Sequence, residues 1–155
     1  MANYTVIGLG GSGLSAVQFL VNQGHTVAVT DGNFPPLADK LPSGVVTYFG
    51  GIHADVLLAS DRVVISPGID PTTPAIAQAI EQGVSVVSDV QVFIENLKER
   101  DTDNGTHTPI VAITGSNAKS TVTTLVGLMA EKSGKTVGVG GNIGTPALDL
   151  LNIDG

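Results

Sequence analysis

Four short stretches of this sequence hold residue types that can grip phosphate or polarise a bound ligand. "GLGGSG" (8–13) is a G-x-G-x-x-G run directly after the apolar "YTVI" and at the start of a helix-like segment. In such a run Gly8 permits a tight turn, Gly10 lets a ligand approach the backbone, and Gly13 allows close helix–strand packing. The amides of Gly10, Gly11, Ser12 and Gly13 then face a phosphate at the helix N-terminus. Asp31 ends the next apolar run, roughly where a dinucleotide fold places its ribose carboxylate. NAD(P) fits this pattern, and so does a uridine diphosphate sugar, which has the same pyrophosphate and ribose. Context favours a ligand loop over glycines that merely pack the chain.

"TGSNAKST" (114–121) resembles a phosphate-binding loop, with Lys119 as phosphate cation, Ser120 as a hydroxyl for Mg²⁺ and Thr121 beside it. Gly115 frees the turn, and Ser116 and Asn117 continue it. Against the pattern G-x-x-x-x-G-K-[ST], Ala118 stands where glycine is expected before the lysine. An alanine forced to positive φ costs on the order of 1–2 kcal/mol, small beside several phosphate contacts. An ordinary Ser/Thr-capped helix start is the competing reading. "SPGI" (66–69) follows a strand and suits either a ligand loop or a plain turn. "GVGGNIG" (138–144), with Asn142, is weak by itself.

The elements around these loops alternate. Strands are expected at 4–8, 25–30, 45–49, 62–68 and 84–88, and helices at 13–23, 54–60, 73–83 and 89–100. This alternation predicts a doubly wound α/β domain with a parallel sheet over 1–100. "DTDNGTHT" (101–108) reads as a linker. A second unit then opens with strand 109–114, helix 119–133, strand 135–140 and helix 145–151, too little to bury a core alone.

Composition narrows the partners. A net charge of −7 argues against electrostatically driven binding to nucleic acid or anionic membrane, so phosphate must be held by local amides and single cations. There is no cysteine, hence no disulfide scaffold or thiolate metal site. No apolar run approaches the ~18 residues of a membrane span, and the N-terminus lacks a basic leader. The expectation is a soluble, cytoplasmic, monomeric protein. His25, His53 and His107 share no metal-ligand spacing and read as surface residues.

In this order, the stretches 8–20, 30–31, 66–69 and 109–151 resemble the Mur ligases of peptidoglycan synthesis, above all the type that adds D-glutamate. The P-loop followed by "GGNIG" is the most specific part. The resemblance implies an ATP- and Mg²⁺-dependent amide ligase that activates the carboxylate of UDP-N-acetylmuramoyl-L-alanine as an acyl phosphate for attack by D-glutamate. It places a Rossmann-like UDP-sugar domain at 1–100 and the first part of a P-loop ATPase domain at 109–155. It implies that Gly10, Gly11, Ser12 and Gly13 face the pyrophosphate. Asp31, Gly32, Asn33, Ser66, Pro67, Gly68 and Ile69 lie around the uracil and ribose. Gly115, Ser116, Asn117, Ala118, Lys119, Ser120 and Thr121 hold ATP, with Lys119 and Ser120 catalytic and Ser120 on the metal. Asn142 is implied near the muramoyl group. Ala118 replaces the family's usual glycine, and Asn33 stands where many members carry a basic residue. The resemblance puts the acidic Mg²⁺ ligand, the carbamylated lysine and the D-glutamate site beyond Gly155. The 155-residue chain is therefore expected to bind the UDP-sugar without ligating alone.

Overall fold

The computed structural model describes residues 1–152. Five strands form one parallel sheet: β1 (Asn3–Ile7), β2 (Thr26–Asp31), β3 (Val46–Phe49), β4 (Arg62–Ile65) and β5 (Ser85–Ser88), in the order β3-β2-β1-β4-β5. Val6 pairs with Val29 on one side and Val64 on the other, so β1 is the central strand. Both faces of the sheet are covered, which is why the strands read as continuous aliphatic runs. Adjacent residues point to opposite faces. Val6, Val29 and Val64 pack with α1 (Gly11–Asn22) and α4 (Asp89–Asn104), while Ile7 and Val63 pack with α2 (Ala54–Leu58) and α3 (Pro74–Glu81). Arg62 and Glu95 pair at 2.7 Å, tying the start of β4 to α4.

Three differences from the sequence reading have physical causes. Helix α4 runs through the first half of the expected linker and stops at Gly105, which adopts φ 63° as a left-handed cap. Ser88 caps its other end by accepting the Gln91 N–H at 3.1 Å. The Asp101 carboxylate then accepts the Thr108 N–H at 2.6 Å and the hydroxyls of Thr106 and Thr108, folding the linker back onto the helix. The backbone hydrogen bond from Thr108 foremost holds that carboxyl below its ordinary value.

Second, the expected strands 109–114 and 135–140 do not form. A strand exists through its ladder partners, and among the described residues these segments have only one isolated bridge, Gly140 to Thr145. Helix α5 (Lys119–Lys132) does form, because its hydrogen bonds are internal, but Val122, Leu125, Leu128 and Met129 remain exposed. Third, the expected helix at 145–151 is a 3-10 helix at Ala147–Asn152, and another at Pro36–Lys40 went unread. No helix among the described residues is long and apolar enough to cross a membrane.

Candidate functional site

Sheet order places the site. The chain winds from β1 through β2 to β3 on one side, then crosses to β4 and β5 on the other. The strand order therefore reverses at β1 and opens a crevice beyond the carboxyl ends of β1 and β4. The 8–13 loop follows β1 and the 66–69 loop follows β4, so both meet at that crevice. Ser66 Oγ donates to the Gly8 carbonyl at 2.8 Å, and the Ser66 N–H donates to Ile7 O at 3.0 Å. The loop itself obeys the glycine logic. Gly8 turns at φ 86°, and its N–H donates to Thr30 O at 2.9 Å. A Cβ on Gly13 would overlap the Gly8 carbonyl and stand 2.9 Å from Ser66 Oγ. Around Gly10 and Gly11 there is open space.

The result is a helix start at the crevice with no side-chain cap among the described residues. Gly10 is the N-cap of α1 and offers no side chain to its first amides. Those amides also lack intrahelical acceptors. The helix dipole adds partial positive charge at the same point. An anion of pyrophosphate size finds donors there without any basic side chain, as the acidic composition requires.

Asp31 has a structural role that the spacing did not reveal. Its Oδ2 accepts the Leu9 N–H at 2.8 Å and its Oδ1 accepts the Asn33 N–H at 2.9 Å. The carboxylate therefore braces the glycine loop to the end of β2, and each oxygen can accept a further hydrogen bond. Gly32 and Asn33 are exposed beside it. Phe34, which the sequence reading missed, lies next along this rim. It is 81% exposed and edge-on to Phe49 at 6.2 Å. An aromatic after Asp-Gly-Asn and before Pro-Pro was the available signal. Pro67 and Gly68 are exposed, and the Ile69 side chain covers Gly8, with Cδ1 3.0 Å from where its Cβ would stand.

The 115–121 loop is built separately. Ala118 sits at φ 59°, ψ 10°, the only non-glycine at positive φ among the described residues. The loop therefore keeps the left-handed turn that glycine usually serves, at a strain of about 1–2 kcal/mol. Lys119 Nζ folds back to donate to the carbonyls of Gly115 and Ser116. Ser116, Asn117, Ser120 and Thr121 are exposed, and no side chain caps α5. One amine, three hydroxyls and uncapped amides suit a nucleoside triphosphate. They suit Mg²⁺ as well, which keeps waters and phosphate oxygens as most of its ligands. Asn142 is exposed in the turn between Gly140 and Thr145, and makes no hydrogen bond to the 8–13 or 66–69 loops among the described residues. Cavities of about 680 and 370 Å³ open elsewhere, beside Asp101–Ile110 and beside Tyr4, His25 and Arg62.

A parallel sheet with an uncapped glycine loop at its switch point is the architecture of a Rossmann-like nucleotide-binding domain. A family model described as Mur ligase MurD-like, N-terminal domain, matches residues 2–88. The chain belongs to this MurD-like Mur ligase family. It is 52% identical over 147 residues to the UDP-N-acetylmuramoylalanine–D-glutamate ligase of Acinetobacter baylyi, covering 94% of this chain and 31% of that protein. The ligase of the same name from Psychrobacter arcticus is 54% identical over 151 residues, covering 96% of this chain and 30% of that protein. The chain spans about a third of the length of the curated relatives it matches. Among solved structures, a murein peptide ligase from Psychrobacter arcticus shares the fold with TM-score 0.56 at 24% identity, over 86% of this chain and 27% of that one. UDP-N-acetylmuramate-alanine ligase MurC from Thermotoga maritima does so with TM-score 0.54 at 21% identity, over 92% and 33%.

Proposed function

We propose that residues 1–100 form the UDP-sugar-binding domain, and 109–155 the opening of the ATP-binding domain, of an ATP-dependent amide ligase. That enzyme joins D-glutamate to UDP-N-acetylmuramoyl-L-alanine. The observation that carries this reading is the uncapped α1 N-terminus meeting the 66–69 loop at the switch point of the sheet. Its ligand is narrowed by the relatives, which are about half identical to this chain over the third of their length that it spans and are named for that reaction.

In this reading the amides of Gly10 to Gly13 hold the pyrophosphate. Asp31, Gly32, Asn33 and the 66–69 loop surround ribose and uracil, with Phe34 offering a ring to the base. Lys119 exchanges its loop carbonyls for the β- and γ-phosphates of ATP, and Ser120 offers its hydroxyl to Mg²⁺. These groups neutralise charge on the phosphoryl group in transit, the main catalytic task in such transfers. ATP supplies the phosphoryl group that activates the substrate carboxylate. By this reading the isolated chain binds the UDP-sugar and does not ligate.

Calorimetric titration of the chain with UDP-N-acetylmuramoyl-L-alanine and with NADH tests the proposal. Saturable binding of the UDP-sugar alone is expected. Saturable NADH binding with no response to the UDP-sugar would overturn it in favour of a redox or regulatory NAD(P) module.

A further inference from the structure

The end of α4 touches both ends of the stretch that carries the 115–121 loop. Asp101 holds the chain where it leaves, accepting the Thr108 N–H at 2.6 Å and the hydroxyls of Thr108 and Thr106 at 2.8 and 3.1 Å. Its neighbour Arg100 holds the chain where it returns, with Nη1 donating to the Leu151 carbonyl at 3.0 Å. Two contacts secure that return independently. Leu148 is 2% exposed in one cluster with Val6, Leu20 and Val92, and the Ser15 hydroxyl donates to Asp149 Oδ1 at 2.6 Å. Residues 109–146 therefore form an excursion whose return is fixed by several groups and whose exit is fixed by one side chain.

Helix stability does not explain that side chain. Aspartate is a poor helix former, and a carboxylate in the last turn of a helix opposes the macrodipole. No basic residue stands in the last turn of α4 to offset it. Backbone bonds already close the helix end: the Gly105 N–H donates to Thr102 O at 3.3 Å and the Thr106 N–H to Asp101 O at 2.9 Å. The Asp101 carboxylate is thus left for the chain beyond Gly105. We infer that Asp101 is a positioning residue, whose side chain makes the end of α4 an elbow that sets where the 109–146 excursion leaves the first unit. The elbow works in the same way whatever ligands the two units take.

The chain has no cysteine, so two introduced ones can carry spin labels at defined places. Glu81→Cys on α3 and Glu131→Cys on α5 are exposed positions outside the clasp. Pulsed dipolar spectroscopy of the labelled full chain should give one narrow distance distribution. Adding Asp101→Ala should roughly double its width, and Asp101→Asn, which keeps an acceptor oxygen, should restore most of the original width. A broad distribution without either variant, an unchanged width in Asp101→Ala, or no recovery in Asp101→Asn overturns the elbow. Hydrogen exchange supplies a readout that simple fraying of α4 would answer differently. In Asp101→Ala the Thr108 amide should exchange on the order of tenfold faster. The Thr106 amide, bonded to the Asp101 backbone carbonyl, should keep its rate. Equal acceleration of both amides, or unchanged exchange at Thr108, overturns the elbow.

Discussion

Gly10 and Gly13, three positions apart in one loop, should fail in opposite ways when given a methyl group. At Gly13 the new Cβ would overlap the Gly8 carbonyl and press on Ser66 Oγ at 2.9 Å. Helix α1 must then move off the sheet, or the Ser66–Gly8 hydrogen bond, 2.8 Å long, must break. Overpacking of this kind costs about 1–3 kcal/mol, and the lost hydrogen bond about 1 more. A total of about 2–4 kcal/mol should lower the urea midpoint by about 1–2 M at an m-value near 2 kcal/mol/M. At Gly10 a methyl group meets nothing within 4 Å. Gly10→Ala should therefore stay within about 0.5 kcal/mol of wild type, yet its methyl enters the space proposed for the pyrophosphate and should weaken UDP at least tenfold. Urea unfolding followed by circular dichroism, with UDP calorimetry on the folded proteins, separates the two effects. A stable Gly13→Ala refutes the packing argument, and a Gly10→Ala with normal UDP affinity refutes the ligand assignment.

Leu148→Ala should cost about 2–5 kcal/mol, the range for a fully buried leucine, whereas an undocked segment would leave the urea midpoint unchanged. Ala118→Gly trades about 1–2 kcal/mol of left-handed strain for about 0.5–1 of glycine's extra entropy. It should slow amide exchange across 115–121, and Ala118→Val should speed it; identical rates in all three would contradict the strain argument. Phe34→Ala should weaken UDP by about 1–3 kcal/mol if the ring stacks on the base, with Phe34→Tyr close to wild type; UDP calorimetry of both checks this. The hydrogen-bonded Arg62 guanidinium holds the Glu95 carboxyl below its ordinary 4.5, so the pair's contribution is complete above that value and fades as pH falls through the lower folded-state value. With the two side chains 23% and 42% exposed, screening limits it to under about 1 kcal/mol. The stability gap between wild type and Glu95→Gln in urea should accordingly narrow as the pH is lowered from about 7 to about 2.

The alternation of aliphatic runs with helix-length segments was enough to read all five sheet strands and the five α-helices, because period and punctuation are local properties. The glycine loop was legible for the same reason: turn, approach and packing are demands on single residues. Asp31 was legible as a polar residue at a strand end, but not as the brace of Leu9 N–H, since that bond needs β1 and β2 side by side. The 109–114 and 135–140 runs have strand composition and form no strands, because composition cannot supply the neighbour that a ladder requires.

What the sequence determined by itself is therefore the set of loops that could meet phosphate, and the left-handed turn that falls to Ala118 for want of a glycine. Tertiary structure decided which loops meet. Parallel order about β1 brought Ser66 to Gly8, 58 positions away, and burial of one leucine drew the 147–152 segment onto α1, where Asp149 found Ser15. Contacts between residues so distant in the chain depend on where sheet order and core volume place them, and no short window of residues contains that information.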